Sequence, residues 1–69
     1  MKWEYYVRRF VPEKNSKMSP LAQLNEHLND SGKNGWELIS TVYNYDEDIR
    51  WHTWELVFKR PLLLESDAT

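Results

Sequence analysis

A chain of 69 residues without a single cysteine has to fold without the cross-link on which chains of its size commonly rely. Disulfides are excluded, and thiolate zinc sites with them. At this length roughly 60% of the unfolded surface leaves water on folding, enough for one core and too little for two. The packing must come from four Trp, four Tyr and two Phe, and a second copy of the chain is the natural supplement.

The formal net charge is −2, so the basic excess that drives counterion release from nucleic acid is missing, and duplex DNA is disfavoured as a partner. The longest apolar runs, such as Leu62-Leu63-Leu64, fall far short of the roughly 20 residues that cross a bilayer, and no membrane association is expected. Met1-Lys2-Trp3-Glu4-Tyr5 does not read as a secretion signal, which makes the cytoplasm the expected address.

Along the chain, Lys2 to Val11 alternates as a half-buried strand, with Trp3, Tyr5, Val7 and Val11 on one side and Lys2, Glu4, Tyr6 and Arg8 on the other. Arg9 and Phe10 break that alternation, which points to a bulge near Arg8-Arg9 or to burial on both sides. Pro12 ends the strand and residues 13–17 form a polar loop. Ser19-Pro20 has the form of a helix cap followed by proline in the first turn. Leu21, Leu24 and Leu28 then make one apolar stripe, with His27 on the polar side. The helix is expected to stop near Asp30-Ser31, because Gly32 and Gly35 follow as natural left-handed positions.

Trp36 to Tyr45 reads as the second strand, Asp46-Glu47-Asp48 as a hairpin tip and Arg50 to Lys59 as the third strand, closed by Pro61. The fold class that follows is α+β, a single β-α-β-β layer with one helix on a three-stranded, mainly antiparallel sheet over residues 1–61. The third strand is expected between the other two. Trp3, Tyr5, Val7, Trp36, Leu38, Val42, Trp54, Leu56 and Phe58 are assigned to the helix-covered face, and residues 62–69 to a tail that starts apolar and ends polar.

Three segments carry a family likeness: Lys2-Trp3-Glu4-Tyr5, then Leu28-Asn29-x-x-Gly32-x-x-Gly35-Trp36-Glu37-Leu38-Ile39-Ser40, then Lys59-Arg60-Pro61. They resemble the short bacterial and phage proteins grouped as domain-of-unknown-function family 4177, and the likeness spans Lys2 to Pro61. The resemblance implies a small strand-helix-strand-strand domain with no established activity, so it carries over no catalytic residue. The aromatic and acidic hairpin from Tyr43 to His52 and the Leu62-Leu64 segment depart from the family pattern, and individual function is expected there.

By parity the face away from the helix carries Tyr6, Arg8, Phe10, Ile39, Tyr43, Tyr45, Trp51 and Val57. Apolar patches of this kind usually mark interfaces, and Tyr, Trp, Phe and Arg are enriched in interface cores. A homo-oligomer, with a dimer favoured, is therefore the expected assembly. Two other readings compete: good strand formers simply lining a solvated face, or aromatic rings with Arg8, Arg50 and His52 holding a nucleotide or other small anionic ligand.

Asp46-Glu47-Asp48 lacks the spacing of a calcium loop, and His27 and His52 lack zinc-ligand spacing, so no metal or other cofactor is expected. Ser40 with His52, and Glu37 with Glu55, are the only pairs resembling catalytic groups. A thin two-layer fold builds little concavity around them, and a non-enzymatic binding or assembly module is the expected function.

Overall fold

A computed structural model describes residues 1–62. Four elements follow one another: β1 (Trp3–Phe10), α1 (Pro20–Lys33), β2 (Glu37–Asp46) and β3 (Trp51–Pro61). The sheet order is β1-β3-β2, both pairings antiparallel, so the last strand lies in the middle as expected. The helix lies on one face of this sheet, where Leu24, Trp54, Leu56 and Phe58 form the buried core and Phe10, Leu28, Trp36 and Leu38 pack around it. The expectation for the tail falls, from residue 63 on, outside the described residues; Leu62 itself donates its N–H to the Lys2 carbonyl at 2.8 Å.

The helix begins as Ser19-Pro20 predicts. Ser19 is extended (φ −64°, ψ 159°) and its hydroxyl accepts from the Ala22 N–H at 3.1 Å, while Pro20 opens the first turn, where its missing N–H removes no hydrogen bond. The helix runs on to Lys33, past the expected stop, with Gly32 inside it. Of the two glycines only Gly35 is left-handed (φ 85°), and the reversal lets the Trp36 N–H return to the Ser31 carbonyl at 3.0 Å.

Two strand faces differ from the alternation read in the sequence. In the β1–β3 ladder Tyr6 is opposite Phe58, Arg8 opposite Leu56 and Phe10 opposite Trp54. Directly paired residues share a face, so Tyr6, Arg8 and Phe10 lie on the helix side, while Trp3, Tyr5 and Val7 lie on the open side. The cause is β3, whose Trp54, Leu56 and Phe58 form one unbroken buried row. β1 carries aromatic rings at both parities and takes the phase that puts Phe10 against that row, in a ladder that runs without interruption from Trp3 to Phe10.

β2 contains the irregularity that was expected in β1. Its register shifts between Leu38 and Ser40, leaving Ile39 as an extra residue. Leu38 faces the core opposite Phe58, but beyond the bulge the phase inverts. Thr41, Tyr43 and Tyr45 stand on the helix side, and Ser40 and Val42 on the open side.

Candidate functional site

The open side of the sheet offers an apolar strip that runs diagonally across it, past the exposed Glu55 that stands between Arg9 and Val42. Tyr5 and Val7 on β1, Val57 on β3 and Val42 on β2 occupy neighbouring ladder rows. Tyr5, Val7 and Val42 are 63%, 68% and 57% exposed. A charged strap bounds the strip at each end. At one end the Lys59 ammonium lies 4.3 Å from the centroid of the Trp3 ring and 3.6 Å from the Glu37 carboxylate. At the other end Arg9 reaches across β3 to Asp46, over a buried Thr53 whose hydroxyl donates to the Asn44 carbonyl at 2.9 Å.

Asp46 is also the organiser of the hairpin. One carboxylate oxygen accepts from the N–H groups of Asp48 (2.8 Å) and Ile49 (3.3 Å), and the other from Arg9. Burial alone pushes this carboxyl up; the two amides and Arg9 outweigh it and hold the group below the usual carboxylate range. The four-residue loop 47–50 ends on Arg50 in the left-handed region (φ 54°).

On the helix side, beyond the start of α1, the hairpin carries a second aromatic group. The Tyr43 hydroxyl and His52 Nδ1 share a hydrogen bond of 2.7 Å, and Tyr43 also packs on Trp54 with centroids 5.3 Å apart. Tyr45 and Trp51 flank His52 at 5.7 and 4.9 Å. A cleft of about 480 Å³ opens here between Tyr43, His52, Trp54 and the helix residues Pro20 and Leu21. Trp51 is tied to the β1–α1 connection through its indole N–H, which donates to the Pro12 carbonyl at 2.7 Å.

The residues expected on one open aromatic face are thus divided. Val57 is on the open side, and Ile39 is the exposed bulge residue. Tyr6, Arg8, Phe10, Tyr43 and Tyr45 are on the helix side, and Trp51 sits at the base of the hairpin. Val7 and Val42, assigned to the core in the sequence, are the residues that build the open strip; strand alternation identified their spacing but not their phase.

The pairs that resembled catalytic groups do not assemble. Ser40 is opposite Val57 on the open side, whereas His52 is opposite Tyr45 on the helix side. Glu37 pairs with Lys59, and Glu55 stands between Arg9 and Val42, two ladder rows away. His27, expected on the polar side of the helix, turns toward the sheet and stacks on Phe10 with centroids 4.9 Å apart. Its Nε2 is buried without a hydrogen-bond partner. Burial, and then the nearby Arg8 charge, lower its pKa from the ordinary 6.5 against a smaller opposing effect of Asp30.

At the far end of the helix side the Arg60 guanidinium lies 4.1 Å from the Trp36 ring centroid and donates to Glu4 (3.0 Å) and to the Asn34 carbonyl (3.1 Å). Among the described residues no group of three His, Asp or Glu side chains is placed to hold a metal ion, and no helix is long and apolar enough to cross a membrane. Compared with known proteins, the chain matches no family model, no curated protein and no solved structure.

Proposed function

We propose that this chain is a small non-enzymatic binding or assembly module that works self-associated, with the open sheet face as its contact surface. One observation carries the reading: Tyr5, Val7 and Val42 stand in water on a sheet whose other face, together with the helix, buries only four apolar side chains among the described residues. A strip of this kind on a domain with so small a core supports a partner surface rather than a solvated one. The straps of Lys59 with Glu37 and Arg9 with Asp46 give the strip the polar rim typical of an interface. The strand-helix-strand-strand order agrees with the likeness to family 4177, and kinship with that family is part of the proposal.

Sedimentation equilibrium at micromolar concentration tests this. The expected mass exceeds that of one copy and falls in Val7→Asp, which alters an exposed position and leaves the circular dichroism spectrum unchanged. A single-copy mass for the unsubstituted chain overturns the reading, and an unchanged mass in Val7→Asp moves the contact off this face.

The aromatic cleft supports a second reading, a site for a nucleotide or other small anionic ligand. Rings that stack bases in other proteins are here grouped at the hairpin, with the Lys14 ammonium 5.6 Å from the Trp51 ring centroid. A purified sample with excess absorbance at 260 nm, lost in Trp54→Leu, is the expected sign; a clean protein spectrum with no nucleotide-induced quenching of tryptophan fluorescence counts against it.

A further inference from the structure

β1 and β2 are the two edges of the sheet, and they are guarded very differently. Apart from Glu4 and Arg9, which are paired with Arg60 and Asp46, β1 carries Arg8 in mid-strand and has Lys2 just ahead of it, neither in an ion pair among the described residues, and charges of this kind discourage a further strand from adding. From Leu38 through Tyr45, β2 has no charged residue, no glycine and no proline. The acids at its two ends are both engaged within the chain, Glu37 with Lys59 and Asp46 with Arg9. The edge therefore presents unpaired backbone groups with no free charge along it, which is the template for strand addition.

The identity of the added strand follows from the order of residues. An antiparallel partner meets the segment beyond the bulge, from Ser40 to Asp46. When that segment is laid against its own reverse about Tyr43, every pair is compatible and on a common face. Tyr43 meets Tyr43 and Thr41 meets Tyr45 on the helix side; Val42 meets Asn44 and Ser40 meets Asp46 on the open side. Aromatic pairs and aromatic with β-branched pairs are the combinations that stabilise neighbouring strands. The two like-charged ends do not meet, because Glu37 lies before the bulge and outside the register.

We propose that β2 pairs antiparallel with the β2 of a second copy about a two-fold axis at Tyr43, making one continuous six-stranded sheet. The pairing brings the aromatic clefts of the two copies side by side across the axis. It goes beyond the open-face contact and does not depend on it. If both contacts form, two such sheets stack face to face with the helices outside, giving four copies.

Because the chain has no cysteine, single cysteines report on this register directly. Opposed residues across a ladder have Cβ atoms about 5 Å apart, close to disulfide reach, whereas residues four positions out of register are about 13 Å apart. In a Val7→Asp background, which disables the open-face contact, Tyr43→Cys is expected to form a disulfide dimer as the dominant species under mild oxidation. Thr41→Cys alone is expected to stay uncross-linked, and a mixture of Thr41→Cys and Tyr45→Cys chains to link to each other. Hydrogen exchange on the chain without cysteines gives a second readout: the β2 amides not bonded to β3 gain protection as concentration rises. Cross-linking at residue 41 alone, no cross-linking at 43, or edge amides whose exchange ignores concentration would each overturn the proposal.

Discussion

Arg9 of β1 crosses the central strand and donates to Asp46 at the end of β2, joining the two edges of the sheet directly. The bridge is half in water, so the pairing itself contributes little. Asp46 contributes more through the two amides it caps in the hairpin. Asp46→Ala is accordingly expected to lower Tm more than Arg9→Ala does, with thermal denaturation as the check. Equal losses would reduce the role of Asp46 to its ion pair.

The same carboxylate sets an acid limit. Its pKa is below the ordinary value in the folded chain, so the unfolded state takes up the proton first as pH falls. The stabilisation is complete above the ordinary carboxylate pKa of about 4 and is lost as pH drops through the lower folded value. Asp46→Asn is expected to flatten the decline of the urea midpoint below about pH 4, the range set by that ordinary value.

His27 acts in a higher window. Its folded pKa is also depressed, so the unfolded chain binds the proton first when pH falls through 6.5. Its contribution is present above that pH and is lost on acidification until the folded group also protonates. His27→Leu keeps an apolar side chain against Phe10 and removes the titrating ring. Urea midpoints measured from pH 7.5 to 5 are expected to fall in the parent chain and to fall less in the variant.

The phase of β1 can be tested by a pair of truncations. Phe10 packs against the core cluster and His27, and Phe10→Ala is expected to cost about 3 kcal/mol. Val7 stands on the open side, and Val7→Ala is expected to change the stability of the single chain by no more than about 0.5 kcal/mol. Denaturant titration at a concentration low enough to keep copies apart is the check, and the reverse ranking would restore the other phase.

Gly35 is left-handed with open space around it, so Gly35→Ala meets no steric clash from neighbours and only the backbone penalty remains. That penalty is about 1 kcal/mol. Gly32, inside the helix, is expected to respond in the opposite direction: Gly32→Ala stabilises by up to about 1 kcal/mol. The two alanine variants side by side, in one urea series, check both.

Much of this architecture was legible from local chemistry. Ser19-Pro20 marked the helix start because capping is decided by adjacent residues, and Trp54, Leu56 and Phe58 alternate without ambiguity in the strand that became central. The phase of β1 was not legible: Tyr5 and Tyr6 are equally good strand residues, and only the ladder with β3 selects between them. The bulge at Ile39 carries no glycine or other local marker, so alternation alone puts Ser40, Val42, Tyr43 and Tyr45 on the wrong sides together. His27 looked polar on the helix wheel because the extra reach of the stack with Phe10 comes from another element.

That single inserted residue in β2 has an effect out of proportion to its size. Alternation along a strand behaves as a wave of period two, and one added residue reverses the wave for everything downstream. Were Ile39 to take an ordinary place opposite Val57, Ser40 would meet Leu56 and Val42 would meet Trp54, handing Val42 to the core and expelling Tyr43 and Tyr45 from the helix side; deleting Ile39 would instead join Leu38 to Ser40 in the register already present and leave both surfaces where they are. The two surfaces that distinguish this molecule, the valine strip and the tyrosine cluster, are thus separated by one residue's worth of chain.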